Sequence, residues 1–147
     1  MLKIRNILFF NNFTLSLFNH LYADFPLSCD IDITEFALDL LPDDLDVKDG
    51  IDKLEVARAS LSFLRQEGFI VISEVHNDKV YKGVRLTMKG LASLGYVPNS
   101  LEPDESIISK INDIAKDGFK EAGVDVTKNI VQQLFSVALA SSKLIIS

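Results

Sequence analysis

Residues 51–91, IDKLEVARASLSFLRQEGFIVISEVHNDKVYKGVRLTMKGL, decide the fold of this 147-residue chain. Their first part predicts a helix, because apolar residues recur every three or four positions, at Leu54, Ala57, Leu61 and Leu64. Gly68 follows where a glycine commonly ends a helix. FIVISEV and VYKGVRLT are rich in β-branched and aromatic residues and predict two strands, and HNDK between them predicts a tight turn. Thr87 is the predicted N-cap of the next helix.

Further helices are predicted on both sides of this stretch. By apolar spacing and by the positions of prolines and capping residues, the helices cover residues 13–23, 32–41, 52–67, 88–96, 104–117 and 126–144. Prolines punctuate the segment after residue 97. The sequence therefore predicts a domain at residues 1–97, a linker at 98–103, and a helical extension at 104–147 that serves packing or dimerisation.

Two short motifs connect this pattern to a known family. The first is L-x-x-x-G-x-I at the end of the third helix, and the second is L-T-x-x-G after the hairpin; they consist of Leu64, Gly68 and Ile70, and of Leu86, Thr87 and Gly90. With the order of elements, they make residues 13–96 resemble the winged helix-turn-helix family, and the second motif is common in bacterial regulators of transcription. The resemblance implies a mainly α (α+β) fold with a two-stranded wing, followed here by additional C-terminal helices.

The charge of the chain is distributed unevenly. The net charge is −6, yet residues 53–89 contain seven basic and four acidic side chains, a net charge of +3. Within an acidic chain, a positive segment is the part that would be able to bind nucleic-acid phosphates. The resemblance implies a DNA-binding protein, a regulator of transcription that acts as a homodimer on double-stranded DNA.

The resemblance also assigns candidate DNA contacts. In that family the third helix enters the major groove and the wing touches the backbone or the minor groove. By position, the candidates on the third helix are Lys53, Arg58, Ser60 and Ser62. Those on the wing and its returning strand are Lys79, Lys82 and Arg85.

Acidic side chains lie among these candidates and favour an alternative. Glu55 and Glu67 share the third helix, and Asp78 lies at the wing tip, where DNA phosphates would repel all three. Winged helices also serve as protein-interaction or adaptor modules that bind no DNA. A protein partner in place of DNA is therefore the alternative prediction.

The last predicted helix is apolar over more than half of its circumference. Its candidate dimer-interface residues are Val126, Ile130, Val131, Leu134, Phe135 and Val137. A helix of this kind needs cover on two sides, which a second protomer or the protein's own domain can supply. A homodimer through the C-terminal helices is one prediction, and packing across its own domain is the equal alternative. A helix on a membrane surface is a third interpretation. It is a minor one, because such helices usually have a basic polar face, and the polar face of this helix is mostly uncharged.

The sequence contains no motif for catalysis or metal binding. It has two histidines far apart, His20 and His76, and one cysteine, Cys29, without a CxxC, HExxH or glycine-rich phosphate loop. We therefore predict no enzymatic activity, no metal and no cofactor, and interpret Cys29 as a structural thiol. A single cysteine fits a reducing cytoplasm. Without an apolar run of about 18 residues, a membrane span is not expected.

Overall fold

The computed structural model describes residues 5–95 and 106–146, with the backbone alone from residue 141 onward. It is mainly helical with a small antiparallel sheet. The helices are α1 (Asn6–Asp24), α2 (Ile33–Leu38), α3 (Val47–Gln66), α4 (Met88–Ser93), α5 (Ile107–Asp117) and α6 (Val124–Ile146), with a short 3-10 turn at Phe119–Glu121. The strands are β1 (Cys29–Asp32), β2 (Ile70–Val71), β3 (Glu74–His76) and β4 (Val80–Leu86). The predicted linker at 98–103 lies outside the described residues.

The sheet is built around β4. Among the described residues its order is β1-β4-β2, and β3 also pairs with β4, all antiparallel. The predicted turn between β3 and β4 is confirmed, since Asn77 and Asp78 have φ values of 55° and 53°. Two successive residues with positive φ are typical of the two-residue turn that matches the twist of a hairpin.

Gly83 lies at a bulge that changes which residues of β4 face inward. Between the pairs Ile31–Tyr81 and Cys29–Val84, β4 contains one residue more than β1, which places a bulge at this point. Gly83 has φ 67°, and a Cβ there would lie 2.1 Å from Ser73 Oγ. The bulge explains why Tyr81 and Val84 both face inward although they are three residues apart.

The two family-like motifs have structural roles in packing. Thr87 Oγ1 accepts a hydrogen bond from the Gly90 amide at 3.0 Å, which confirms it as the N-cap of α4. A Cβ at Gly90 would lie 2.2 Å from the Phe69 carbonyl oxygen, so only glycine lets α4 approach the start of β2 this closely. Gly68 has φ 83° and ends α3 as predicted. L-T-x-x-G is therefore explained here by packing alone.

Helix α6 packs against its own chain. Ile130, Val131, Leu134 and Val137 are buried in the same core cluster as residues of α1, α3, the sheet and α5. These four predicted dimer contacts are packed within the protomer, where burial of each such side chain is worth about 1.5–3 kcal/mol. Of the predicted interface, Val126 is exposed and Phe135 is half-buried. Packing across its own domain, the alternative interpretation, accounts for this stripe.

Candidate interaction surface

Two of the predicted DNA contacts are buried. Lys53 is only 2% exposed, and its Nζ donates to Asn6 Oδ1 at 2.9 Å. Ser60 is 3% exposed and donates to the Val56 carbonyl oxygen at 2.7 Å. Both follow the helical spacing of the buried residues Ala57 and Leu64, so they lie on the inward face of α3. Neither side chain is therefore exposed to contact DNA bases in this structure.

Arg58 connects α3 to the hairpin that β3 and β4 form. Its guanidinium pairs with the Glu55 carboxylate, and its Nε donates to the Asp78 carbonyl oxygen at 2.9 Å. The Glu55 carboxylate balances the positive charge of the guanidinium, and the turn accepts a hydrogen bond from its Nε. Arg58 therefore holds the hairpin tip against α3 instead of extending into solvent.

The remaining candidates stay on the surface, but two of them face acids. Lys79 Nζ lies 3.8 Å from the Asp32 carboxylate. Lys82 is the cross-strand partner of Glu74 in the β3–β4 pair. Arg85 is exposed opposite Val71, and Ser62 is exposed on α3. Arg58, Lys79 and Lys82 thus lie beside carboxylates, and Arg85 is exposed.

The solvent-facing stripe of α3 is weakly acidic. At spacings of three and four it consists of Lys48, Asp52, Glu55, Ala59, Ser62 and Gln66, all exposed. One basic and two acidic side chains give it a net charge of −1. Association with nucleic acid depends on the neutralisation of phosphates by cations, so this stripe is poorly suited to enter a DNA groove.

Beside that stripe lies an apolar groove between α1, α3 and α6, with a volume of about 480 Å³. Its apolar walls consist of Ile7, Phe10, Val56, Ala59, Phe63 and Phe135. Ile7 is 52% exposed and Phe63 is 44% exposed, high fractions for such large apolar side chains. We call this feature the α3 groove. Contiguous exposed apolar surface of this kind commonly marks an interaction site.

Aromatic rings form the floor of the α3 groove. Phe10 packs edge-to-face on Phe63 with ring centroids 5.7 Å apart, and stacks on Phe135 at 6.3 Å. Phe135 in turn packs against Phe69, a core residue, at 5.3 Å. Because the rings rest on the core, the groove is supported from below and is preformed.

Two carboxylates lie at the ends of the groove wall on α3. Asp52 is one helical turn before Val56, and Glu67 is one turn after Phe63; both are exposed. They share the side of the helix that lines the groove, because residues four apart face the same way. This wall is therefore apolar in the middle with one carboxylate at each end, and the Lys89 ammonium donates to the Glu67 carbonyl oxygen at 2.7 Å.

The sequence contained part of the signal for this surface. Phe63 lies beside the apolar stripe of α3, and a helical projection places it away from Leu61 and Leu64. Its partners Phe10 and Phe135 lie more than 50 residues away in each direction, so their convergence depends on the tertiary fold. The comparisons with protein families, curated proteins and solved structures found no match for this chain. Within the described ranges, the search for a helix able to cross a membrane found none.

Proposed function

We propose that this protein is a winged-helix protein-interaction module that binds a protein partner rather than DNA. The order of elements supports the winged-helix assignment: one helix, a strand, two helices, then a hairpin whose last strand pairs with the first strand of the sheet. In this assignment α3 corresponds to the helix that reads DNA in DNA-binding members of the family. Its surface therefore decides between the two functions considered.

One observation carries the choice of a protein partner. The exposed side of α3 presents an apolar groove with Phe63 at its edge, next to a stripe that contains Asp52 and Glu55. Aromatic side chains in preformed grooves are typical anchors of protein interfaces. The basic side chain best placed for DNA, Arg58, is bound to Glu55 and to the hairpin.

The groove has the chemistry expected for an amphipathic helix of a partner protein. Such a helix lays an apolar stripe into a hydrophobic groove, with anchors at spacings of three and four residues. Its flanking residues should be basic, because Asp52 and Glu67 lie exposed at the two ends of the α3 wall. We therefore assign the groove to a partner helix with an apolar stripe and basic flanks.

The test compares wild-type protein with Phe63→Glu, which places a charge at the groove edge. Met88→Glu is the matched control, because Met88 is 77% exposed, begins α4 and does not line the groove. A partner captured with the wild type is purified and titrated against all three proteins. We expect Phe63→Glu to weaken binding at least tenfold and Met88→Glu to leave it unchanged. The basic residues of the bound segment should be protected from chemical modification in the complex.

Two results would contradict the proposal. The first is salt-sensitive binding of random-sequence duplex DNA by the wild type at low ionic strength, lost on Arg85→Ala, which would restore the DNA-binding prediction. The second is a dimer seen by light scattering that Phe63→Glu dissociates, which would place a second copy in the groove. Circular dichroism of each variant confirms that loss of binding is not loss of fold.

A further inference from the structure

Three metal-ligating side chains meet at the end of the molecule opposite the α3 groove. His20 and Asp24 lie four residues apart on the last turns of α1, and Cys29 is the first residue of β1. One ligand atom from each, an imidazole nitrogen, a carboxylate oxygen and the thiol sulfur, all lie within 4.8 Å of one another. The chain brings them together because it reverses direction between Asp24 and Cys29.

We propose that His20, Asp24 and Cys29 bind one divalent transition-metal ion, with Zn²⁺ the best fit. Nitrogen, oxygen and sulfur from these residue types are the ligands that Zn²⁺ takes in proteins, usually in a tetrahedron. Ligand atoms around tetrahedral zinc are about 3.5 Å apart, given bond lengths of about 2.0–2.3 Å. Small rotations of the exposed His20 and Asp24 side chains would close the remaining distance. The fourth position would be open to solvent.

The surroundings of the three side chains favour a cation. The C-terminal end of a helix carries a partial negative charge, and the last turn of α1, described in full, contains no basic side chain. The carboxylates of Asp24 and Asp30 lie near the Cys29 sulfur and add negative charge that attracts a cation. Binding exchanges the thiol proton for the metal and releases that proton to solvent.

The proposed ion would join a helix to the sheet. Cys29 pairs with Val84 in the antiparallel β1–β4 ladder, while His20 and Asp24 belong to α1. The site is roughly 20 Å along α1 from Ile7 in the groove, at about 1.5 Å per residue. The proposed metal site therefore stands independently of the proposed partner binding.

The test is titration of the reduced full-length chain with Co²⁺ as a spectroscopic substitute for Zn²⁺. The chain has one cysteine, so a thiolate-to-cobalt charge-transfer band reports on Cys29 alone. We expect the band to saturate at one Co²⁺ per chain and to disappear when Zn²⁺ is added. Cys29→Ser should abolish it, and His20→Ala or Asp24→Asn should weaken binding at least tenfold. His76→Ala, which removes the other histidine, should leave the titration unchanged.

Thermal unfolding supplies a second measurement. At a hundredfold excess of Zn²⁺ over Kd, we expect the wild type to gain about 5–10 °C in Tm and Cys29→Ser to gain none. The proposal is wrong if folded wild-type protein shows no charge-transfer band and no shift in Tm. It is also wrong if saturation occurs at one metal per two chains with dimer formation, or if His20→Ala and Asp24→Asn bind as the wild type does.

Discussion

The β3–β4 hairpin and the α3 groove flank the same helix but differ in how their side chains are used. At the hairpin, charged residues that suggest a binding surface are engaged within the molecule: Arg58 with Glu55 and the turn, and Lys79 near Asp32. At the groove, Phe63 and Ile7 suggest core residues but remain exposed. The hairpin is thus committed to structure, and the groove retains surface for a partner.

This comparison predicts different costs of substitution in the two regions. Where a region is structurally committed, changes should reduce stability. Where it is free for binding, they should reduce affinity more than stability.

The largest effect is expected at the hairpin, for Gly83→Ala. The new Cβ would meet Ser73 Oγ at 2.1 Å and Ser73 Cβ at 2.7 Å, on a backbone with φ 67°. Strain at such a conformation, together with displacement of Ser73, should lower the free energy of unfolding by about 2–4 kcal/mol. Urea unfolding followed by circular dichroism measures this change.

Gly50→Ala is the matched control for that substitution. Gly50 lies in the first turns of α3, and a Cβ there would meet nothing within 4 Å. Alanine should stabilise the protein by about 0.5–1 kcal/mol, because it restricts the unfolded chain and favours a helix. A loss of similar size in both variants would show that the bulge has no special constraint.

A smaller loss is expected at the groove. Phe63→Glu should cost about 1 kcal/mol, because Phe63 is 44% exposed and gives up chiefly its edge-to-face contact with Phe10. The same variant should lose partner binding. If it instead unfolds as readily as Gly83→Ala, Phe63 belongs to the core and the contrast between the two regions does not hold.

The sequence predicted the local elements of this fold well and the non-local ones poorly. The α3 helix, the hairpin turn and the Thr87 cap follow from residues close together in the chain. The strand β1, with the sequence CDID, was not predicted because four residues of mixed polarity become a strand only by pairing with β4, some 50 residues away. Helix α3 begins at Val47 rather than at residue 52. Asp46 at the N-cap and Asp49 in the first turn carry negative charge, which is favourable at the N-terminal end of a helix.

The candidate site shows the same division. The burial of Lys53 and Ser60 could have been read from their spacing with Ala57 and Leu64. The ion pair of Arg58 with Glu55, three residues away, was also within reach of a helical projection. The bond from Arg58 to Asp78, the convergence of three phenylalanines and the meeting of His20 with Cys29 all depend on turns and helix packing. No single window of sequence contains them.

The smallest expected effect on stability comes from removing the contact of Arg58 with the hairpin turn. The same contact also affects the pKa of Tyr81. Arg58→Ala should cost about 0.5–1 kcal/mol, because its ion pair and its hydrogen bond are partly exposed. Arg58 also lowers the pKa of Tyr81, which burial raises overall. A nearby cation favours the tyrosinate, so its removal should raise that pKa further. Site-specific NMR titration of Tyr81 in wild type and variant measures the shift. An unchanged or lowered Tyr81 pKa, with an unaltered hairpin, would mean that Arg58 points to solvent and is available to a ligand after all.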